Sequence, residues 1–217
     1  MTGKRTNNNK GKKMLRRVFL ILASCLTMVV ATPIATAAQE TPEQFVVRVS
    51  EDILGAIRTD ERVLSGDRHA IEALVDGKMM PAVDFLRMTR MAVGPKWRNA
   101  TPAQRDEMQA LFRQILINVY SGALSMAKDQ TVKLLPHGQN DGTEAIVRSA
   151  MVSPGKPDIQ MVYRLRNIKD KGWRVIDVNV EGVWLVSNYR NQFGSIAASE
   201  GIEGLIKKMQ ERVKAAK

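Results

Sequence analysis

Apolar side chains recur every three or four positions from about residue 41 to residue 127, a spacing that predicts amphipathic helices. The sequence TPEQ at 41–44 predicts the start of the first helix, because a threonine cap, a proline in the first turn and a glutamine form a capping box. TPAQ at 101–104 repeats this arrangement and begins the longest predicted helix, which has one broad apolar face. That face is formed by Met108, Leu111, Phe112, Ile115, Leu116, Val119, Tyr120, Ala123, Leu124 and Ala127.

Two shorter helices are predicted between these, at about 68–75 and 82–92. A glycine follows the apolar positions of each, Gly77 in the first case and Gly94 in the second, as is common where helices end. Pro95 also prevents the second of them from continuing. This part of the chain is therefore expected to be helical throughout, with short connections.

From residue 131 the apolar period changes to two, which predicts β-strands. The four predicted strands cover about 131–135, 143–152, 158–168 and 172–180. Short turns rich in Gly, Pro, Asn and Asp separate them, so an antiparallel meander is the natural arrangement. Helical spacing returns at about 184–199 and again from residue 202. We therefore expect an α+β fold, with helices packed against a four-stranded, mainly antiparallel sheet.

Residues 1–37 have the parts of a bacterial secretory signal. A basic region without acidic residues is followed by an uncharged apolar stretch at 18–31, shorter than the roughly 20 residues that a membrane-spanning helix needs. The sequence ATA at 35–37 supplies the small side chains that a signal peptidase requires. We expect cleavage near Ala37, which leaves one exported domain at 38–217.

The sequence LASC at 22–25 offers an alternative, since it resembles a lipoprotein box in which Cys25 would be acylated. Lipidated N-termini normally continue into a polar linker, whereas the LTMVV that follows here stays apolar. We therefore interpret Cys25 as part of the apolar region of the signal.

Cleavage of the secretory signal would lower the net charge of the protein, and this changes which binding partners the charge favours. It removes seven of the 33 basic residues and none of the 22 acidic ones, so the net charge falls from +11 to +4. No run of basic residues interleaved with aromatics remains, which argues against nucleic-acid binding. A mildly basic surface still suits anionic lipid headgroups or acidic partners. The only cysteine is also lost, so the domain is expected to fold by core packing without disulfides.

Side chains for catalysis are few after residue 37. His69 and His137 stand apart from other ligand-type residues, and we interpret both as surface histidines. The sequence contains no nucleophile elbow, phosphate-binding glycine loop or metalloprotease pair. We expect neither a catalytic residue nor a metal or cofactor.

Asp177, in the middle of the last predicted strand, has two interpretations. In a closed apolar pocket its pKa would rise, and it could act as the base of a small isomerase-like enzyme. Alternatively it pairs with an arginine such as Arg174 or Arg190, or caps a nearby turn. We favour this structural interpretation, because structural ion pairs also perturb carboxylates.

Methionine is frequent in the predicted domain, and aromatic residues are few. Methionine adapts its shape, which suits a cavity for chains of variable length, although composition alone favours a methionine-rich core. The nine methionines are Met79, Met80, Met88, Met91, Met108, Met126, Met151, Met161 and Met209.

The segment 173–193 reads WRVIDVNVEGVWLVSNYRNQF and closely resembles the hallmark stretch of the MlaC family of periplasmic phospholipid-binding, or toluene-tolerance, proteins. GIEGLI at 201–206 is similar to the C-terminal pattern of that family. The resemblance extends more weakly over the whole predicted domain. One departure is Trp184, where the family usually has a serine; an indole in the pocket would narrow it or its mouth.

The resemblance implies a periplasmic shuttle, expected to be a monomer, that holds one phospholipid in an apolar cavity between sheet and helices. It also implies two partners that maintain outer-membrane lipid asymmetry: an outer-membrane lipoprotein–porin complex, and an inner-membrane ABC transporter complex with a lipid-transfer (MCE) domain. The residues expected to line the cavity belong to one sheet face and to nearby turns and helices. They are Val147, Met151, Met161, Tyr163, Val180, Val183, Trp184, Tyr189, Leu86, Ile115 and Tyr120.

Overall fold

The computed structural model describes residues 1–2 and 39–215. The expected secretory signal, its cleavage site and Cys25 lie outside the described residues, except for the first two positions. Among the helices of the described part, none is long and apolar enough to cross a membrane.

The helices that precede the sheet are α1 Pro42–Thr59, α2 Glu61–Leu64, α3 Arg68–Leu74, α4 Phe85–Val93 and α5 Pro102–Ser125. Both predicted capping boxes are present. The Thr41 hydroxyl accepts a hydrogen bond from the Gln44 amide at 3.2 Å, and the Gln44 side chain accepts one from the Thr41 amide at 3.0 Å. Thr101 and Gln104 make the same pair of bonds at the start of α5, so the starts of the two main helices are set locally.

The shorter helices differ from their predicted limits. Gly77 does not end the helix at 68–75, because a π-helical turn at Val75–Met79 carries the chain on into a 3₁₀ turn at Met80–Ala82. Helix α4 begins at Phe85 rather than near residue 82, because Asp84 caps it. Gly94 ends α4 as expected, and a second 3₁₀ turn follows at Gly94–Asn99.

The sheet has five antiparallel strands in chain order, one more than predicted. They are β1 Thr131–Asn140, β2 Glu144–Val152, β3 Ile159–Ile168, β4 Gly172–Val180 and β5 Val183–Trp184. The prediction missed β5 because it assigned Trp184 to the following helix. Glu181 and Gly182 both have positive φ, 51° and 87°, so they form a two-residue turn of type I′ that returns the chain along β4.

Strand β1 is longer than predicted, because part of the expected turn after Leu135 belongs to it. The pairing with β2 shifts register between Leu135 and Gln139, so a bulge carries the strand on to Asn140. The other three predicted strands agree with the observed ones to within about a residue at each end.

Helix α6, Leu185–Ala215, returns the chain to the helical layer and is broken at Gly201, where φ is 74° and ψ is −173°. The two halves of α6 pack with α4 and α5 around an aromatic cluster. The ring centroid of Phe112 lies 4.8 Å from that of Tyr189 and 5.3 Å from that of Phe193. A second group of buried side chains joins the end of α1 to α3 and α5, and a third joins the start of α1 to the sheet.

The break in α6 generates a test. Gly201 has a backbone conformation that is essentially restricted to glycine, so Gly201→Ala should lower the free energy of unfolding by about 1–3 kcal/mol. Gly122 is a matched control: it lies within α5, and a Cβ at either position has no neighbour within 4 Å. Gly122→Ala should raise stability by up to about 1 kcal/mol. Urea unfolding measures the free energy of unfolding of both variants. Equal changes in the two variants would contradict the glycine-specific conformation at Gly201.

Candidate functional site

The face of the sheet that α1 packs on, called here the inner face, is apolar. Register places Val147 opposite Tyr163 and Tyr163 opposite Val178, and side chains at alternate positions share a face. At one end of this face, Leu165 and Val175 are buried in one cluster with Phe45 of α1. This end is ordinary closed core.

The other end of the inner face is less covered. The side chains of Met151, Met161, Tyr163, Val178 and Val180 lie on this face, and each is only partly buried. Met151 also packs against the buried group at the end of α1, and Tyr163 and Val178 pack against the cluster around Leu165. Val183 of β5, opposite Val180, is 58% exposed. We call these six residues the open patch. Apolar side chains left partly uncovered on one contiguous sheet face favour contact with an apolar ligand.

A bulge in β4 shapes both faces. Leu165 pairs with Val175 while the preceding Arg164 pairs with Asp177, so Ile176 is the extra residue. The shift keeps Val175 and Val178 on the inner face although they are three residues apart. It also turns Asp177 to the outer face, together with Arg164.

Two hydroxyl groups interrupt the inner face. Ser149, opposite Met161, is fully buried, and its Oγ finds no hydrogen-bond partner among the described residues. Burial raises the pKa of the Tyr163 phenol, whereas the nearby hydroxyls of Ser149 and Ser50 act in the opposite direction. Ser149 and Tyr163 therefore form a small polar group within the otherwise apolar inner face.

Asp177 joins the sheet to α6. Its carboxylate is 1% exposed, and Oδ1 accepts hydrogen bonds of 2.9 Å from the amides of Val178 and Val186, the latter in the first turn of α6. The Arg164 guanidinium lies 3.8 Å from Oδ2, so the pairing arginine is neither Arg174 nor Arg190. Burial raises the pKa of Asp177, against the effect of the two amides and Arg164. These contacts agree with the structural interpretation of Asp177: its carboxylate caps the start of α6 and lies near Arg164.

The sequence model of the MlaC protein family matches residues 47–211, most of the chain. The chain belongs to the MlaC family. Toluene tolerance protein ttg2D of Pseudomonas putida is 26% identical over 87% of this chain and 85% of its own length. The intermembrane phospholipid transport system binding protein MlaC of Haemophilus influenzae is 21% identical over 91% of this chain and 93% of its own length.

A solved structure is similar over most of this chain. It is that of a phospholipid-binding protein from Ralstonia solanacearum in complex with a phospholipid. The TM-score is 0.77 and the sequence identity 33%, and the match covers 82% of this chain and 99% of the other. The α+β architecture is therefore the one that this lipid-bound relative has.

The residues predicted to line a lipid cavity fall into several groups in the structure. Five of the eleven, Met151, Met161, Tyr163, Val180 and Val183, belong to the open patch, and Val147 lies beside it in the closed part of the same face. Ile115 and Tyr189 are buried in the helical cluster around Phe112. Leu86 and Tyr120 are 52% and 38% exposed on α4 and α5.

Trp184 lies on the outer face. It pairs with Asn179, and the Arg164 guanidinium lies 4.6 Å from the centre of its ring. The indole therefore belongs with Arg164 and Asp177, whereas its neighbour Val183 belongs with the open patch.

Sequence reasoning did not name Val178 or Ser149, although both lie on the inner face. Val178 is two residues before Val180, and Ser149 two residues after Val147, so the alternation of strands pointed to both. Within the described part of the chain, His, Cys, Asp and Glu side chains form no group of three suited to a metal ion.

Two surface concavities are also present. One, of about 450 Å³, lies near the start of β1 between Arg58, Met126, Lys128 and Ser153. The other, of about 320 Å³, lies between α4 and α6. None of the eleven predicted lining residues borders either one.

Asp177 generates a pH-dependent prediction. Its folded-state pKa is raised above the ordinary value of 3.8, so the folded protein holds this proton more tightly than the unfolded chain does. The variant Asp177→Asn keeps an acceptor oxygen at this position but cannot carry the charge. As pH rises from below 3.8 through the folded-state pKa of Asp177, the free energy of unfolding of the wild type should therefore fall relative to that of the variant. Urea unfolding of both proteins across this pH range measures the difference. A difference that is constant, or that changes in the other direction, would contradict the assigned burial.

Proposed function

We propose that this protein binds one phospholipid, with its acyl chains on the open patch, and carries it through the aqueous periplasm between the inner and outer membranes. The observation that carries the proposal is the phospholipid in the Ralstonia solanacearum structure, to which this chain is 33% identical over 82% of its length. The names of the two curated relatives agree with it, one a phospholipid transport protein and the other a toluene tolerance protein.

The chemistry of the open patch suits such a cargo. Burial of one CH₂ group stabilises a complex by about 0.8 kcal/mol, and two acyl chains contain about 30 of them. A lipid therefore does not leave a membrane for water unless a carrier offers an apolar surface. Methionine side chains at Met151 and Met161 adapt to chains of different length.

The proposed path has two ends. At the outer membrane the protein exchanges lipid with a lipoprotein–porin complex, and at the inner membrane with an ABC transporter complex that has a lipid-transfer (MCE) domain. It works as a monomer, needs no cofactor, and contributes to the lipid asymmetry of the outer membrane. Transfer requires no covalent step, and the structural contacts of Asp177 are consistent with a binding protein rather than an isomerase.

Lipid extraction followed by mass spectrometry tests the proposal. The purified protein should contain about one phospholipid per chain, because apolar burial of this size makes release into water negligible. Met161→Lys should reduce loading at least about tenfold, because it places an unpaired charge against the acyl chains. Met126→Lys is the matched control: Met126 is 70% exposed and outside the open patch, so its loading should equal that of the wild type.

Two results would contradict the proposal. Wild-type protein that contains no lipid, and takes up none from phospholipid vesicles, would exclude a carrier. Equal loading of folded Met161→Lys and Met126→Lys would exclude the open patch as the binding surface. Circular dichroism of each variant establishes that it is folded.

A further inference from the structure

Positive charge is concentrated in one stretch of the chain. Residues 85–105 contain five basic residues and no acidic one. The predicted exported domain, residues 38–217, has a net charge of only +4, so this corner of the fold is more basic than the rest. In the fold, the stretch forms α4, the 3₁₀ turn that follows it and the first turn of α5.

Part of this stretch borders the concavity of about 320 Å³, called here the arginine concavity. Its lining is Arg90, Met91, Gly94, Pro95, Trp97, Arg98 and Arg190. No carboxylate is among these residues. The side chains of the three arginines make neither an ion pair nor a hydrogen bond with any other residue of 39–215, and the same holds for the neighbouring Lys96.

The wall of the arginine concavity is held in place. Trp97 is buried, and the Arg105 guanidinium lies over its ring, 5.6 Å from the centroid. Arg105 also donates to the carbonyl oxygens of Trp97 and Arg98, at 3.4 and 3.3 Å. Gly94 turns the chain with a φ of 79°, and a Cβ added there would lie 4.0 Å from Nε of Arg190. Arg190 of α6 therefore lies close against the turn that follows α4.

The chemistry of this arrangement selects a phosphate. One guanidinium can satisfy the two oxygens of a carboxylate, whereas three guanidinium groups around one concavity supply more donors than a single carboxylate accepts. A phosphodiester offers oxygens in several directions, and arginine is a preferred residue for binding phosphate. The apolar Met91 and Pro95 beside the arginines suit the glycerol next to such a phosphate.

We propose that the arginine concavity binds the phosphate of a phospholipid headgroup at the surface of an anionic bilayer. A bilayer presents many phosphates in one plane, so one can enter the concavity while others lie near the free Lys96. The site is separate from the open patch and shares no residue with it. It goes beyond the proposed carrier function, because it holds the protein at a membrane whether or not cargo is bound.

Flotation with vesicles tests this proposal. The wild type should bind vesicles of phosphatidylcholine and phosphatidylglycerol in equal parts, and bind vesicles of phosphatidylcholine alone far less. The triple variant Arg90→Gln, Arg98→Gln and Arg190→Gln should bind the mixed vesicles about 100-fold more weakly, as expected for three cations lost from an anionic surface. The control variant Lys128→Gln, Lys156→Gln and Lys169→Gln removes the same charge from exposed positions elsewhere and should bind within about threefold of the wild type.

Further measurements distinguish a phosphate site from diffuse attraction. At equal ionic strength, inorganic phosphate should release the protein from mixed vesicles more effectively than chloride, because phosphate competes for the arginines. The single variant Arg90→Gln should weaken binding about fivefold, which keeps the test available if the triple variant does not fold. Equal binding by the two triple variants, equal release by the two salts, or absence of wild-type binding to mixed vesicles would each overturn the proposal. Lipid loading by the triple variant should be unchanged, which separates this site from the carrier function.

Discussion

Helix α1 covers one end of the inner face of the sheet, and the surface left for a ligand depends on where that helix is held. Two contacts hold it. Near its start, the indole nitrogen of Trp173 donates to the carbonyl oxygen of Glu40 at 3.0 Å. Near its end, Arg58 donates to the carbonyl oxygen of Lys128 at 3.0 Å, just before β1. With both ends attached to the sheet region, α1 closes the core around Leu165 and leaves Met161, Val180 and Val183 of the open patch outside the buried clusters.

The sequence predicts those features of the fold that depend on residues close together in the chain. The two capping boxes need only residues three positions apart, and the alternation in β2, β3 and β4 is a property of each strand alone. The features that were missed depend on contacts between elements. Strand β5 exists because Glu181 adopts a positive φ, which a glutamate seldom does and which pairing with β4 supports.

In the candidate site, too, features set within one strand were predicted, whereas features set by contacts between elements were not. Alternation predicted that Met161, Tyr163 and Val180 share a face, and register places them together. Alternation could not show that the bulge at Ile176 sends Asp177 to the outer face, or that Trp184 lies there under Arg164. Exposure of the open patch is a tertiary property, because it depends on how far α1 extends over strands that are distant in sequence.

The two proposals place lipid chemistry on two separate surfaces. In them, acyl chains contact the open patch and a headgroup phosphate binds in the arginine concavity. Because the two surfaces share no residue, the proposals predict that lipid loading and membrane contact can be changed independently. Such a separation would suit a carrier that approaches a membrane both when empty and when loaded.

The most direct test of the central claim is photo-crosslinking with a phospholipid that carries a diazirine near the end of one acyl chain. After loading and irradiation, peptide mass spectrometry locates the modified residues. Adducts are expected on the inner-face residues of β2, β3 and β4, with Met161 and Val180 among them. Adducts confined to the outer face around Trp184, or to the arginine concavity, would contradict it.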